Sequence, residues 1–419
     1  MVNDIEIYDV EPADMETVHD KKPKIQACFK TYSLRVDLFS ARMFLDGKPV
    51  HCKIKKDSIK HVPKKKLKKG KHSVKVFVYD EQKNKKELSW NFIIEGKKKV
   101  EIDKYNYYFG IPHAHTSYSS GKGTPKQAIE YAKNNGLDFI MITDHCKALG
   151  VGKSTSKWQT TSNVIKKMNK RHKKFLAILG FELSVNHVGH LNVINSKKLI
   201  DRNLSNIDKL HRYVKNDDDV VISINHPGKN IKNLNCHGEL DEFINLIEVG
   251  NGILPHKYKR YEEKYYKLLD EGWHLGAING QDNHKQNWGD SDNLTVVIAQ
   301  KLSNKNIIDG LKKRRTYSTE SRTLKLMVKA NEYWMGSVIS HQRTNTLKFK
   351  IKVVDRKVPI KRIEIISNGS KVIKQKEINN RREVMWNTSI ERLKENTWYV
   401  VKIIQDNNKI AISSPIFCE

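Results

Sequence analysis

Two histidines separated by one residue, His113 and His115, follow an apolar, β-prone run at Tyr107–Ile111. Alternate residues of an extended chain point to the same face, so two neutral imidazole nitrogens can converge on one cation. A third histidine, His145, follows a second apolar run that starts at Phe139. Histidines at the ends of neighbouring strands therefore predict part of a metal centre.

The segment between these histidines predicts a helix that joins the two strands. Thr124 can cap the first turn, Pro125 suits the first helical position, and Gln127 can complete a capping box. Gly136 is well placed to end the helix. The unit is strand–helix–strand, with histidines at the carboxyl ends of both strands, where α/β barrels place their chemistry.

Residues 104–318 repeat this pattern of an apolar run followed by a polar cluster. The later clusters contain Glu182, His190, His226, and Asp282 with His284. Helical stretches are expected at 258–270 and 304–313. Counting all the runs gives about seven β units, which is compatible with a closed or distorted barrel.

These motifs together resemble a known family of metallohydrolases. The His-x-His-Thr motif at 113–116, Thr-Pro at 124–125, Gly-Leu-Asp-Phe at 136–139 and Ile-Thr-Asp-His at 142–145 are similar to those of PHP (polymerase and histidinol phosphatase) proteins. The arrangement most resembles the carbaryl-hydrolase-like branch. The resemblance implies an α/β fold class, a PHP-like distorted (β/α)7 barrel flanked by N-terminal and C-terminal all-β, sandwich-like domains.

The family pattern implies nine ligand positions, eight of which carry the expected residue type. The eight are His113, His115, His145, Glu182, His190, His226, Asp282 and His284. The resemblance implies that Glu182 bridges two metals. The first would also be held by His113, His115 and Asp282, and the second by His190 and His226.

A third metal is implied at His145, His284 and the ninth position, which is Ser120 here instead of Asp or His. A neutral hydroxyl contributes no charge to offset dehydration of a cation, so we expect two tightly held metals and a weakened third site. Imidazole and carboxylate ligands together suit zinc, manganese or iron.

The implied activity is hydrolysis, in which a metal-bridged hydroxide attacks phosphorus or an acyl carbon. The expected catalytic residues are His113, His115, Glu182, Asp282, His145 and His284. An anionic phosphate ester is the favoured small-molecule substrate because most of the family cleaves phosphate esters. The alternatives are a carbamate, ester or amide hydrolase of the carbaryl-hydrolase type, and a polyanion-binding protein with an inactive barrel.

Several other residues near these motifs have more than one interpretation. His187 could replace His190, although Gly-His-x-Asn at 189–192 fits the family better. Asp144 and Asn192 are candidates to hold the second nitrogen of a ligand imidazole. The P-loop-like stretch at 150–155 lacks its first glycine, so we reject nucleotide binding there, while Lys153 could meet an anionic substrate.

The flanking regions predict β structure. Residues 1–20 form a polar segment, 21–98 an immunoglobulin-like β domain with a hairpin at Asp46-Gly47, and 319–419 a C-terminal β domain. No apolar run approaches the ~18 residues of a membrane span, and no secretory signal is visible. Five scattered cysteines suggest free thiols and a cytoplasmic location.

The chain of 419 residues carries a formal charge of +30. Ten lysines and one acidic residue lie between Lys53 and His72, the densest basic run. This run favours a polyanionic partner, but no nucleic-acid-binding motif accompanies it. We prefer the interpretation as a solvated surface, because charge excess alone is a weak indication of nucleic acid.

Overall fold

The computed structural model describes residues 5–18, 20–31, 35–55, 57–95, 105–150, 156–200, 207–215, 217, 219–234, 238–340, 346–391 and 397–419. Lys153, in the P-loop-like stretch, and Cys236 lie outside these ranges. The chain divides into two compact units, 1–104 and 105–419.

The first unit consists of nine described strands in two sheets. The strands are β1 (Ile5–Glu11), β2 (Glu16–Val18), β3 (Ile25–Thr31), β4 (Val36–Leu45), β5 (Lys48–Pro49), β6 (Lys53–Lys55), β7 (Ser58–His61), β8 (Gly70–Asp80) and β9 (Lys85–Ile94). The sheet orders are β1-β3-β7-β6 and β2-β9-β8-β4-β5, and apolar residues of both sheets share one core. The predicted hairpin is confirmed, since Asp46 and Gly47 have φ of 52° and 74° between β4 and β5.

The predicted polar segment 1–20 contains strands in the structure. β1 pairs with β3 and β2 pairs with β9, so this segment contributes to both sheets of the unit. The buried positions Ile5 and Ile7 alternate with exposed residues along β1, which explains why an otherwise polar segment can join a sheet.

The second unit contains six described α-helices and twenty described strands. The helices are α1 (Pro125–Asn134), α2 (Lys157–Arg171), α3 (Ile207–Val214), α4 (Gly238–Phe243), α5 (Glu262–Asp270) and α6 (Asn304–Lys312). The first ten strands are β10 (Asn106–Ile111), β11 (Phe139–Ile142), β12 (Leu176–Val185), β13 (Gly189–Ile194), β14 (Val221–Ile224), β15 (Ile244–Asn251), β16 (Lys259–Arg260), β17 (Gly276–Gly280), β18 (Leu294–Ala299) and β19 (Thr316–Thr319). The remaining strands are β20 (Leu324–Ala330), β21 (Tyr333–Trp334), β22 (Val338–Ile339), β23 (Thr346–Asp355), β24 (Ile360–Ser367), β25 (Lys371–Arg381), β26 (Glu383–Glu391), β27 (Thr397–Gln405), β28 (Ile410–Ser413) and β29 (Ile416–Cys418).

The strands that precede the candidate ligands form one continuous series. β10, β11 and β12 are parallel neighbours, β13 is antiparallel to β12 and β14, and β14, β15 and β17 are again parallel. β18 pairs antiparallel with β10. No ladder joins β17 to β18 among the described residues, but the Thr295 hydroxyl accepts from Asn279 N and donates to Asn279 O, both at 2.8 Å.

Helix α1 begins as the sequence predicts. Thr124 and Gln127 form the capping box, and Pro125 is the first helical residue. Gly136 follows the helix with φ 76°, a left-handed conformation that glycine adopts without a Cβ penalty.

Within the described ranges, the helices fall short of the length and apolarity that a membrane crossing would require.

Helix α5 differs from the sequence prediction. The helix was expected from Tyr258, but it begins at Glu262, and Lys259–Arg260 instead form strand β16 against β15. These residues are held extended because Arg260 makes a bidentate ion pair with the buried Glu320.

The C-terminal strands continue the same sheet system. β19 pairs with both β18 and β28, and the path runs on through β27, β24 and β25. A second sheet, β21-β20-β23-β26, packs its apolar residues into a shared core with these strands. The boundary of a separate domain at 318/319 stays a prediction.

Candidate metal centre

The His-x-His pair lies at the end of β10 and is fully buried. His113 and His115 are both 0% exposed, and their Nε2 atoms lie 3.1 Å apart. Backbone hydrogen bonds fix this segment to its neighbours: Asp282 N donates to His113 O at 3.1 Å, and His115 N donates to Asn283 O at 3.1 Å. The two predicted ligands after β17 are therefore locked against the pair after β10.

Glu182, in β12, lies at the centre of the cluster. Its Oε1 lies 3.4 Å from His113 Nε2, 3.1 Å from His190 Nδ1 and 3.3 Å from His226 Nε2. Its Oε2 lies 3.4 Å from His115 Nε2 and 2.9 Å from His145 Nδ1. The structure thus brings five predicted histidines around one carboxylate.

These contacts exceed what hydrogen bonding alone can accommodate. Glu182 Oε1 also accepts from Asn225 Nδ2 at 2.9 Å, so four nitrogens lie within 3.4 Å of one oxygen. A carboxylate oxygen offers about two lone-pair sites. Ligand atoms on a cation with bonds of about 2.1 Å stand about 3.0–3.4 Å apart, so the spacing fits shared coordination.

Asp282 and His284 complete the cluster around the histidine pair. Asp282 Oδ1 lies 3.3 Å from His113 Nε2, 3.1 Å from His115 Nε2 and 3.5 Å from His284 Nδ1. Asp282 has φ 50° and His226 has φ 26°, both in the left-handed region that non-glycine residues rarely adopt. Such backbone strain is common where function fixes a side chain.

Four groups of three side chains have ligand atoms within 4.8 Å of one another and could hold a metal ion. They are His113–His115–Glu182, His113–His226–Asp282, Glu182–His190–His226 and His115–His145–His284. All eight predicted ligands are included. Ser120 is exposed, and His187 is exposed in the turn before His190.

The main residue that sequence reasoning missed is Glu248, buried in β15. His113 Nδ1 donates to Glu248 Oε1 at 2.8 Å, and Glu248 Oε2 accepts from His226 N and from Asn251 Nδ2. This carboxylate orients one histidine and holds the backbone of another. A single glutamate in the apolar run 244–249 was the available signal.

Asp144 has a different role from the predicted direct contact with an imidazole. Its carboxylate accepts from Thr116 N, from Thr116 Oγ1 and from Ser119 Oγ at 2.5–2.7 Å. Ser119 Oγ lies 3.4 Å from His115 Nδ1, so Asp144 supports that imidazole through a serine. Asn192 is fully buried, and its Nδ2 lies 3.4 Å from Pro112 O.

The electrostatics of the cluster favour cations. Burial alone lowers the pKa of His113, but the carboxylates of Asp282, Glu248 and Glu182 hold that pKa well above its usual value. Burial is likewise outweighed at His115, whose pKa is raised by Asp282 and Glu182. Burial raises the pKa values of Glu182 and Asp282, yet the histidines hold both well below their usual range.

The charge balance points to metal ions in particular. Within the described residues, no lysine or arginine lies within 4.0 Å of Glu182, Glu248 or Asp282. A buried carboxylate without a cationic partner is costly, by several kcal/mol per ion. In the metal-free protein the protonated imidazoles of His113, His115 and His226 supply that charge, and divalent cations held by the same nitrogens would supply it in their place.

A cavity of about 410 Å³ reaches the cluster. Six of the predicted ligands line it, together with Asn251, Lys257, Lys259 and Tyr261. The pKa of Tyr261 is raised by burial and by the charges of Glu248 and Asp282, so its phenol keeps its proton at neutral pH. The cavity lining therefore combines carboxylates and histidines with cationic side chains.

Histidine and carboxylate ligands after consecutive strands, gathered around a shared glutamate, define a site of the metal-dependent hydrolase class. The family comparison agrees with that class: residues 112–277 match the PHP domain, so this segment of the chain is a PHP domain. None of the curated proteins compared with the chain matches it.

Solved structures give distant likenesses only. A two-domain protein containing a predicted PHP-like metal-dependent phosphoesterase, from Bacteroides vulgatus ATCC 8482, is 18% identical with a TM-score of 0.42, covering 75% of this chain and 95% of that one. A provisionally assigned metal-dependent phosphoesterase from Bifidobacterium adolescentis ATCC 15703 is 14% identical with a TM-score of 0.31, covering 49% and 95%. An amidohydrolase from Chromobacterium violaceum is 13% identical with a TM-score of 0.25, covering 42% and 87%. All three scores are below 0.5, so the domain assignment rests on the family match.

Proposed function

We propose that this protein is a metal-dependent phosphoesterase whose site is the cluster around Glu182. The observation that carries the proposal is the crowding of Glu182 Oε1 by four nitrogens within 3.4 Å, which a bridging ligand explains and hydrogen bonding does not. The PHP domain at 112–277 supports the same class of reaction.

Metal ions bound here would activate water and stabilise negative charge that develops on the substrate. The chain itself supplies their ligands and holds them in place. His113, His115, Glu182 and Asp282 are the proposed ligands of one metal, and Glu182, His190 and His226 of a second. Glu248 fixes the ring of His113, which sets the direction of its Nε2.

A third metal site is proposed to be weak. His145 and His284 belong to a triad with His115, but His115 is shared with the first site, and the exposed Ser120 has no carboxylate to contribute. Two tightly held ions of zinc, manganese or iron follow from this ligand set.

Activity screening of zinc- and manganese-loaded protein tests the proposed reaction. Phosphomonoesters, phosphodiesters, aryl esters and aryl carbamates should be compared at equal concentration, with chelated protein as the blank. Chelator-sensitive release of phosphate supports the proposal. Turnover of carbamates or esters alone would move the protein to the acyl-hydrolase alternative, and turnover that ignores the chelator would exclude metal catalysis.

Two finer features belong to the same proposal. The strand series β10 to β18, linked across its gap by Thr295, is proposed to be a PHP-like distorted (β/α)7 barrel, with an immunoglobulin-like domain before it and a β domain after it. No disulfide joins the described cysteines, Cys28, Cys52, Cys146 and Cys418, which supports a cytoplasmic location.

A second candidate function, polyanion binding, is favoured by the first unit. A groove of about 1000 Å³ is lined there by Lys53, Lys55, Lys60 and Lys64, with one acidic residue, Asp57, among its other polar and apolar side chains. Lys53 and Lys60 lie directly opposite each other across β6 and β7, an arrangement of like charges that is unfavourable unless an anion lies nearby. Binding to DNA or an acidic polymer at low salt tests this candidate.

A further inference from the structure

The segment 252–261, which we call the arm, forms one side of the metal-site cavity. It runs from Gly252 through a turn to strand β16, which pairs antiparallel with the end of β15. In that pairing Lys259 lies opposite Asn251, and Arg260 lies opposite Gly250. Residues directly opposite share a face, so Lys259 lies on the face of Asn251, which lines the cavity and binds Glu248.

The other face of the arm is anchored to the protein. Arg260 binds Glu320 through Nε at 2.7 Å and Nη2 at 2.6 Å, and Glu320 is 1% exposed. Alternation along a strand then places Lys259 on the opposite side from this anchor, toward the cavity. An ion pair on one face and a free lysine on the other gives the arm a defined orientation.

The base of the arm is equally fixed. Tyr261 N donates to Val249 O at 2.7 Å, and Leu254 N donates to Ser291 Oγ at 3.0 Å. Gly252 has φ 95°, and a Cβ there would collide with the carbonyl of Lys257. The turn that presents Lys257 therefore needs glycine at 252.

Lys257 and Lys259 line the cavity, yet neither has a carboxylate within 4.0 Å among the residues that the structure describes. Lys264 is a further cation near Lys259: it donates to Pro227 O, and its pKa is lowered by burial and by the charges of Lys229 and Lys259. Lys257 and Lys259 thus bring positive charge to the cavity lining without a carboxylate paired to either of them in the described part of the chain. Lysines beside a cavity that are not held in ion pairs are available to attract an anionic ligand.

We propose that Lys257 and Lys259 determine the specificity of the site by binding the negative charge of the substrate. This inference rests on the proposed hydrolase function, because it assigns the substrate contact within the same cavity. The two lysines select for charge: a phosphate dianion gains two charge-assisted contacts, a phosphodiester monoanion gains less, and a neutral ester gains none. They are substrate-binding residues that act on affinity.

The negative charge that the lysines bind is either that of the phosphoryl group that reacts or that of a second anionic group elsewhere in the substrate. The cavity of about 410 Å³ accommodates either. p-Nitrophenyl phosphate carries only the reacting group, whereas its analogue with a carboxylate on the ring carries both. A loss that is larger for the second compound assigns the lysines to the non-reacting anion.

The test compares wild type with the double variant Lys257→Gln/Lys259→Gln, both loaded with manganese. The variant should lose about ten- to a hundredfold in kcat/KM on p-nitrophenyl phosphate, mostly through KM, and less on bis(p-nitrophenyl) phosphate. Neutral p-nitrophenyl acetate, if hydrolysed, should be unaffected. A matched control is Lys166→Gln/Lys167→Gln, two exposed lysines of α2 whose removal changes the net charge equally.

A binding measurement makes the outcome independent of turnover. Calorimetric titration of the loaded proteins with inorganic phosphate should give about tenfold or greater weakening in the double variant and none in the control. Equal losses on charged and neutral substrates, or unchanged phosphate affinity, would overturn the role of the lysines while leaving the hydrolase proposal intact. Loaded wild type that hydrolyses none of these substrates would instead reject the proposed function, and phosphate titration would still decide whether the lysines bind anions.

Discussion

The metal cluster of the second unit and the lysine groove of the first unit differ in how their charges are balanced. In the cluster, His113, His115 and Glu182 are almost fully buried and contact one another. In the groove, Lys53 and Lys60 are exposed and have no carboxylate within 4.0 Å in the described part of the unit. Buried charge has to be balanced within the fold, so it specifies a particular ligand, whereas exposed charge is balanced by solvent ions and specifies only a sign.

The largest expected effect follows from removing a carboxylate of the cluster. Asp282→Asn keeps the shape of the side chain but removes the charge that faces His113 and His115, so turnover should fall by more than the roughly 10–100-fold typical of an outer partner. Steady-state assays with circular dichroism as a folding check measure this. Asp290→Asn is the matched control, since Asp290 is exposed and binds Tyr131. Full activity in Asp282→Asn would remove this residue from the mechanism.

A smaller loss is expected at Glu248, which touches His113 without belonging to the proposed ligands. Glu248→Gln should weaken metal affinity by about 10–100-fold, because a neutral amide holds the His113 ring less firmly and leaves less charge near the ions. Competition with a chromogenic chelator gives the affinity. Glu248→Ala should be worse than Glu248→Gln, and an unchanged metal affinity in both would show that Glu248 has only a structural role.

These two residues also show what the sequence could predict. Asp282 stands just after an apolar run and beside a histidine, so its type and position both indicated a ligand. Glu248 lies within its strand, where alternation gives no sign that the side chain faces a metal centre rather than a neighbour. Its partner, His113, is distant in sequence; the two meet because β15 pairs with β17 and Asp282, after β17, donates its backbone N–H to His113 O.

The arm is a second feature that could not be predicted from the sequence. The sequence predicted a helix from Tyr258, since the apolar spacing of 258–270 is helical, but the ion pair between Arg260 and Glu320 keeps 259–260 extended. Lysines are so common in this chain that Lys257 and Lys259 carried no signal of their own. Their significance comes from their place beside the cavity, which depends on contacts distant in sequence.

Metal binding should release protons and strengthen as pH rises. In the metal-free protein the pKa values of His113, His115 and His226 are raised, so these nitrogens hold protons that a cation must displace. Calorimetric titration of zinc in buffers of different ionisation enthalpy measures the release. A proton count of zero near neutral pH would contradict the raised values.

The same pKa shifts determine how the stability of the metal-free protein depends on pH. Because the histidine pKa values are raised in the folded protein, protonated histidines stabilise the fold. This stabilisation is fully present below the ordinary histidine pKa of about 6.5 and is lost as pH rises through the pKa values of the folded state. The pKa values of Glu182 and Asp282 are lowered, so these carboxylates stabilise the fold at pH values above the ordinary carboxyl pKa. This stabilisation is lost on strong acidification. Metal-free protein should therefore lose thermal stability between neutral and alkaline pH, and metal should restore it.

The smallest effect is expected in the lysine groove. Replacing Lys53, Lys55 and Lys60 with glutamine should weaken binding to DNA by a few fold at low salt and reduce the slope of affinity against salt concentration. The control replaces Lys24, Lys75 and Lys83, lysines of the same unit that already have carboxylate partners. Equal effects of both triple variants, or no binding by wild type, would favour a solvated surface.

The metal content of the dialysed protein, measured together with its turnover of p-nitrophenyl phosphate, tests the central claim most directly. Wild type should retain two equivalents of divalent metal per chain and lose its activity on chelation. Glu182→Gln should lose at least one equivalent together with turnover, because Glu182 is the ligand shared between the two sites. Three tightly held equivalents would contradict the argument from Ser120. Metal-free wild type that remains active, or Glu182→Gln that keeps both metals and full turnover, would contradict the account itself.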